Sequence, residues 1–197
     1  MTMKKFALAL AALTVTATPG HAHIASGAHG SLMSGLSHPF TGADHTLAML
    51  TVGLWAALLG GNAVWRVPLA FVGAMAVGYG AALAGASLPF IEPTILASVV
   101  VLGLLTAIAV RVPTSAGMAI VAFFALFHGF AHAGEAGAAG LVDFAAGFAI
   151  STAVLHAIGA ATGFGLMRLL GPVTGDKIGR VVGGAAAVGG IALAMAS

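Results

Sequence analysis

The stretch LVDFAAGFAISTAVLHAIGAATGFGLMRL, residues 141–169, decides the class of this chain. Between Asp143 and Arg168 it holds no Asp, Glu, Lys or Arg, and it is longer than the roughly 20 apolar residues that cross a bilayer. Five further apolar stretches of similar character stand at 39–59, 67–86, 94–110, 116–133 and 178–196. Strand-like alternation persists nowhere, which argues against a membrane barrel. The expected fold is all-α: a polytopic six-helix transmembrane bundle.

Composition agrees. Of 197 residues, 60% are hydrophobic and 6% charged, and the mean hydropathy is +1.10. A soluble domain carries about a quarter charged residues, so this chain has too few to cover a surface facing water. Its main partner is therefore the lipid bilayer. Glycine is abundant, with 29 residues, and in lipid small residues let helices approach closely. Cysteine is absent, which excludes disulfides and thiolate metal sites.

The N-terminus reads as a processing segment. Lys4 and Lys5 precede an apolar run, 6–15, too short to span, and Thr18-Pro19-Gly20 breaks it ahead of the small pair Gly20 and Ala22. Residues 1–22 are expected to be a signal peptide and 23–197 a single six-helix transmembrane domain. Cleavage would remove two of the seven basic residues and leave five against five acids, so no nucleic-acid partner is implied. A leader places the mature N-terminus outside. The loops after the first, third and fifth spans are then cytoplasmic and carry Arg66, Arg111, Arg168, Lys177 and Arg180, as the positive-inside rule requires. Six spans return the C-terminus to the periplasm of a bacterial inner membrane. Trp55 and Trp65 read as anchors near the inner face.

The ionisable groups fall on the opposite side. His38, Asp44 and His45 lie at the outer end of the first span, Glu92 at the outer start of the third, and His128, His132 and Glu135 in the outer half of the fourth. His128, His132 and Glu135 are spaced i, i+4, i+7, one helical stripe. His38, Gly42, His45 and Met49 form a second stripe, with Gly42 leaving room between the imidazoles. Asp44 stands off that stripe and is expected to orient a ligating histidine or to bind after local unwinding. Pro39 suits a first helical turn, with His38 flanking it. Glu92 is a candidate metal or gating carboxylate beside Pro93. His23, the first residue after cleavage, offers an amine and an imidazole together. His156 stands alone, and a core hydrogen bond is expected for it.

Ionisable groups in lipid are costly unless paired or coordinated, and a divalent ion offsets that cost. Imidazole with carboxylate and no thiolate suits Ni2+, Co2+, Zn2+ or copper rather than Mg2+ or Ca2+. The metal candidates are His38, Asp44, His45, His128, His132, Glu135, Glu92 and His23. Import of such an ion is the function expected, with no enzymatic role and no prosthetic group. The residues leave two alternatives open: an intramembrane metal-dependent hydrolase with Glu135 or Glu92 as the spare acid, and a haem cytochrome pairing His128 or His132 with His156.

Two segments carry a resemblance. His38-Pro39-Phe40-Thr41-Gly42-Ala43-Asp44-His45, continued by Met49-Leu50-Thr51-Val52-Gly53-Leu54-Trp55, resembles the first signature of the HupE/UreJ family. Phe127-His128-Gly129-Phe130-Ala131-His132-Ala133-Gly134-Glu135 resembles the second, with Ala133 where glycine often stands. The family is described as nickel permeases that serve hydrogenase and urease maturation. The resemblance implies Ni2+ as the transported ion. It implies that His38, Asp44, His45, His128, His132 and Glu135 carry transport, with Glu92 contributing.

Overall fold

The computed structural model describes residues 32–135 and 140–197. The leader, His23 and His29 lie outside these. Among the described residues all regular structure is helical: α1 (Leu32–Thr41), α2 (Ala43–Leu59), α3 (Ala63–Leu83), α4 (Ile91–Ala107), α5 (Thr114–His132), α6 (Leu141–Leu170) and α7 (Pro172–Ala196). Four of them, α3, α5, α6 and α7, are long and apolar enough to cross a membrane, and α1 with α2 passes the same test as one span bent by 87°. The apolar helix α4 has 17 residues, about 26 Å of helix against a hydrocarbon core of about 30 Å.

The first span departs from the sequence expectation of one straight helix over 39–59. Its helix starts earlier, at Leu32, and breaks at Gly42, which is extended (φ −98°, ψ 121°). Pro39 lies inside α1 rather than at a first turn, and His38 sits in that helix's last turn. In lipid a break leaves backbone groups that need partners. Two hydroxyls supply them: Thr41 donates to the His38 carbonyl at 2.7 Å, and Thr46 donates across the break to the Pro39 carbonyl at 2.7 Å.

Small residues set the packing. Gly159 of α6 lies on the Leu50 and Leu54 backbone of α2, and Gly129 of α5 lies on the Met75 carbonyl of α3; a Cβ at either would collide with the facing chain. The facing pairs order the bundle. Gly53 meets His156 and Ala57 meets Gly163, so α2 and α6 run parallel. Val67 meets Gly117 and Met75 meets Gly129, so α3 and α5 run parallel. Gly103 meets Ala187 while Val99 meets Gly190, so α4 and α7 run antiparallel.

This arrangement gathers the α2 end, the α3 start, the α4–α5 loop and the α6–α7 turn at one end of the bundle. Arg66, Arg111, Arg168, Lys177 and Arg180 all belong to those segments. His38, Asp44, His45, His132 and Glu135 belong to the other end. Large apolar side chains such as Leu69, Val77, Val101, Ile150 and Val188 stand exposed around the outside, a surface suited to lipid. Trp65 is half-exposed with the Arg66 guanidinium 5.0 Å from its ring, as an interfacial anchor would be. Trp55 is not an anchor: it is buried, and its indole N–H donates to the Val110 carbonyl at 3.4 Å.

Close helix contact through glycine makes a direct prediction away from the ionisable groups. A Cβ at Gly103 would stand 2.6 Å from the Ala187 nitrogen on α7. Gly103→Val should lower stability by about 1–3 kcal/mol, the usual cost of overpacking, read from SDS-induced unfolding in mixed micelles. Unchanged stability would mean that α4 and α7 do not touch there.

Candidate metal centre

The bend at Gly42 determines where the first signature points. It lets α1 deliver His38 and α2 deliver Asp44 and His45 to one place from two directions. Asp44 lies in the first turn of α2, and its Oδ1 accepts from the His45 backbone N–H at 2.8 Å and from His45 Nδ1 at 2.9 Å. Gly42 is required for this. A Cβ there would stand 2.8 Å from Asp44 Oδ1 and 3.2 Å from His45 Nδ1, so any side chain would displace the pair.

The second signature arrives on α5. His132 is its last residue, and Glu135 lies just beyond, in a turn closed by the Glu135 N–H on the His132 carbonyl at 3.2 Å. Glu135 Oε2 accepts from His132 Nδ1 at 2.9 Å and from His38 Nε2 at 2.9 Å. Burial alone would raise the Glu135 carboxyl, but the hydrogen bonds from His132 and His38 and the charges of those rings outweigh it. They hold it below the usual carboxylate range. Glu135 is therefore an anion throughout the physiological range.

The two signatures meet at their imidazoles. His132 Nε2 faces His45 Nε2 at 2.6 Å. Each ring has its Nδ1–H committed to a carboxylate, Glu135 for His132 and Asp44 for His45. A neutral imidazole has one donor and one acceptor nitrogen, so both Nε2 atoms carry lone pairs aimed at the same point. A proton on one Nε2, which makes the contact an N–H···N hydrogen bond, or a metal ion taken up by both nitrogens relieves this opposition. A second grouping overlaps it: His38, His132 and Glu135 each offer one ligand atom, all within 4.8 Å of one another. His132 belongs to both groups. Carboxylates behind ligating imidazoles are the usual support of protein metal sites.

Exposure grades through the site. The Glu135 side chain is 44% exposed, that of His38 16% and that of His132 4%, so the group opens at Glu135 and closes inward. Phe144 and Phe148 of α6 wall it, with the Phe148 ring 4.6 Å from that of His132.

The remaining candidates separate. His128 is buried, and its ring lies 4.7 Å from that of His45, yet it stands outside the hydrogen-bonded chain. The Ser98 hydroxyl donates to the Ile95 carbonyl at 2.6 Å, so its oxygen accepts from His128 Nε2–H at 3.0 Å. His128 Nδ1 is left as a bare acceptor without a partner. Glu92 is exposed in the first turn of α4, and among the described residues no hydrogen bond or ion pair joins it to the histidines. Asp143 is exposed in the first turn of α6, where a carboxylate suits the helix dipole. Sequence spacing did not single out Ser98, because a serine in an apolar helix carries no signal until its neighbour is known. His156 has no hydrogen-bond partner at either nitrogen, against the core hydrogen bond expected for it.

A family model described as HupE / UreJ protein matches residues 10–193. The chain belongs to the HupE/UreJ family. It is 43% identical over 194 residues to Protein HupE of Rhizobium leguminosarum bv. viciae, a match covering 98% of each chain. No solved structure matches it. Both motifs that meet at the His45–His132 contact lie within the family match.

Glu135→Gln should weaken binding of Ni2+ or Co2+ to the purified protein by about 10–100-fold, since the amide cannot accept from two imidazoles with the same charge. Isothermal titration with wild type and variant measures it; equal affinities would exclude Glu135 from the site.

Proposed function

We propose that the protein is a bacterial inner-membrane permease that imports a divalent transition metal, with Ni2+ as the cargo, for hydrogenase or urease maturation. The observation that carries this reading is the pair of imidazole lone pairs, His45 Nε2 and His132 Nε2, converging at 2.6 Å with a carboxylate behind each ring. The donor set is imidazole and carboxylate, which suits Ni2+, Co2+ or Zn2+. Metal–nitrogen bonds of about 2.0–2.1 Å would open the nitrogen pair by a few tenths of an ångström, a side-chain adjustment.

The basic end of the bundle supports a direction. Lys and Arg collect on the cytoplasmic side of inner-membrane proteins, so the histidine end faces the periplasm. On this reading α4 also crosses, beside α7, and the total is six spans with both mature termini periplasmic. An ion enters at Glu135 and His38, exchanges part of its water for the imidazoles of His132 and His45, and moves inward. The sequence has no glycine-rich ATP-binding loop to power this. A membrane potential negative inside favours entry of a 2+ ion by about 4.6 kcal/mol per 100 mV. The haem alternative fits poorly, because the Phe71 ring fills the space between His128 and His156, 5.4 Å from one and 5.0 Å from the other.

His132 belongs to both ligand groupings, so His132→Ala is the sharpest test. Proteoliposomes carrying wild type should accumulate Ni2+ when the interior is made negative, and the variant should do so at least about tenfold more slowly. Equal uptake by the two, or no uptake by wild type at any potential, would end the permease reading.

A further inference from the structure

His156 is the most deeply placed histidine of the described chain, and the site above does not use it. It sits midway along α6, is 1% exposed, and has no hydrogen-bond partner at Nδ1 or at Nε2. An imidazole always has one nitrogen able to donate and one able to accept, so two bare nitrogens in a closed interior oppose folding. The second bare acceptor nearby is His128 Nδ1. The ring of Phe71, fully buried, lies between the two histidines and packs edge-on against His156 with an interplanar angle of 84°.

The helices put these groups in a graded series. Phe148 of α6 is level with His132, and His156 lies eight residues further along the same helix, about 12 Å deeper. On α5, His128 is one turn below His132, about 6 Å. The three histidine levels are thus spaced by about one helical turn each. At the turn between, Thr152 of α6 donates to the Met75 thioether of α3 at 3.8 Å, which places a hydroxyl and a thioether at that level. Beneath His156, Gly53 of α2 leaves its backbone against the His156 carbonyl, so the helix is held firmly at this depth.

We propose that His156 forms an inner station for a divalent transition metal, reached from His128 Nδ1 past the Phe71 ring that lies between them. The inference rests on the permease reading and extends it: the cation leaves the outer imidazoles, is taken by His128 Nδ1, and passes Phe71 to His156. Phe71 keeps the two levels from being joined by water while it is in place, and its face is a surface over which a cation can pass. The two bare nitrogens are kept because the cargo supplies their missing partner during each passage.

The natural chain has no cysteine, so His156→Cys places a single thiol at the inner station. Purified wild type, His156→Ala and His156→Cys are titrated with Co2+ and reconstituted for Ni2+ uptake. His156→Ala should keep Co2+ affinity at the outer centre within about twofold of wild type and lose uptake by at least about tenfold. His156→Cys should show a cobalt–thiolate charge-transfer band in the near ultraviolet and recover a substantial part of the uptake. Uptake by His156→Ala at the wild-type rate, or a His156→Cys protein without that band, overturns the inner station. Should His156→Ala fail to fold, the band in His156→Cys decides the matter alone. If wild type transports nothing, the permease reading falls, and the same band still reports whether a cation reaches this depth.

Discussion

Inside an apolar bundle, two imidazole nitrogens cannot turn their lone pairs on each other unless something positive lies between them. His45 and His132 are held in that relation by carboxylates that accept from the opposite side of each ring, Asp44 at 2.9 Å and Glu135 at 2.9 Å. The rest of the chain can be understood from what this contact demands. It needs two histidines, 87 residues apart in sequence, at one depth. It needs two anions in a chain with five acids in all. The carboxylates stay ionised because the imidazoles donate to them, and the imidazoles keep one tautomer because the carboxylates accept.

The scaffold meets this demand by closeness of backbones rather than by large side chains. Between helices in lipid there is no hydrophobic driving force, so contact must come from packing. Glycines that leave α3 against α5 and α2 against α6 bring main chains within touching distance, and His128 and His132 lie on either side of one such glycine, Gly129. The same economy explains the bend. A straight first span carries His38 and His45 on one stripe and presents both from a single helix. Broken at Gly42 by an 87° bend, it lets α1 bring His38 to Glu135 at 2.9 Å while α2 holds His45 against His132. The cost of the break is met by Thr41 and Thr46, which occupy carbonyls that the helix no longer uses.

Much of this was legible in the sequence, for identifiable reasons. A long apolar stretch without charge has few alternatives to a helix in lipid, so several helices followed within a few residues, 94–110 against Ile91–Ala107 and 116–133 against Thr114–His132, while 178–196 began six residues late against Pro172–Ala196. The i, i+4, i+7 spacing put His128, His132 and Glu135 on one face; the structure joins His132 to Glu135, which reaches back from a turn beyond the helix end, and leaves His128 on Ser98. The stripe through His38, Gly42 and His45 failed as geometry, although His38 and His45 both come to lie against His132. Periodicity assumes a continuous helix, and Gly42 is where that assumption ends; the alternative of local unwinding at Asp44 was nearer the outcome. Trp55 misled because an indole in a membrane protein is as able to bury its N–H on a carbonyl as to sit at an interface. Glu92 could not be placed from sequence, since its neighbour Pro93 starts a helix whether or not a metal is near.

His156 escaped the sequence reading for a deeper reason. A lone histidine in an apolar helix is ordinarily explained by a hydrogen bond to a neighbouring element, and no pattern within one chain segment says whether that neighbour exists. Only the packed bundle shows Phe71 where a partner would stand. Among the described residues each of the other histidines has a carboxylate or serine partner at one nitrogen, whereas His156 has none at either. A bundle that was selected only for stability would have replaced it, since leucine or phenylalanine fills the same volume with no polar atom to lose. An ionisable group retained at that depth without a partner has its use in a state other than the resting one. In a chain whose opposite histidines aim two nitrogens at one point, the state we propose for His156 is the one with a cation bound to it.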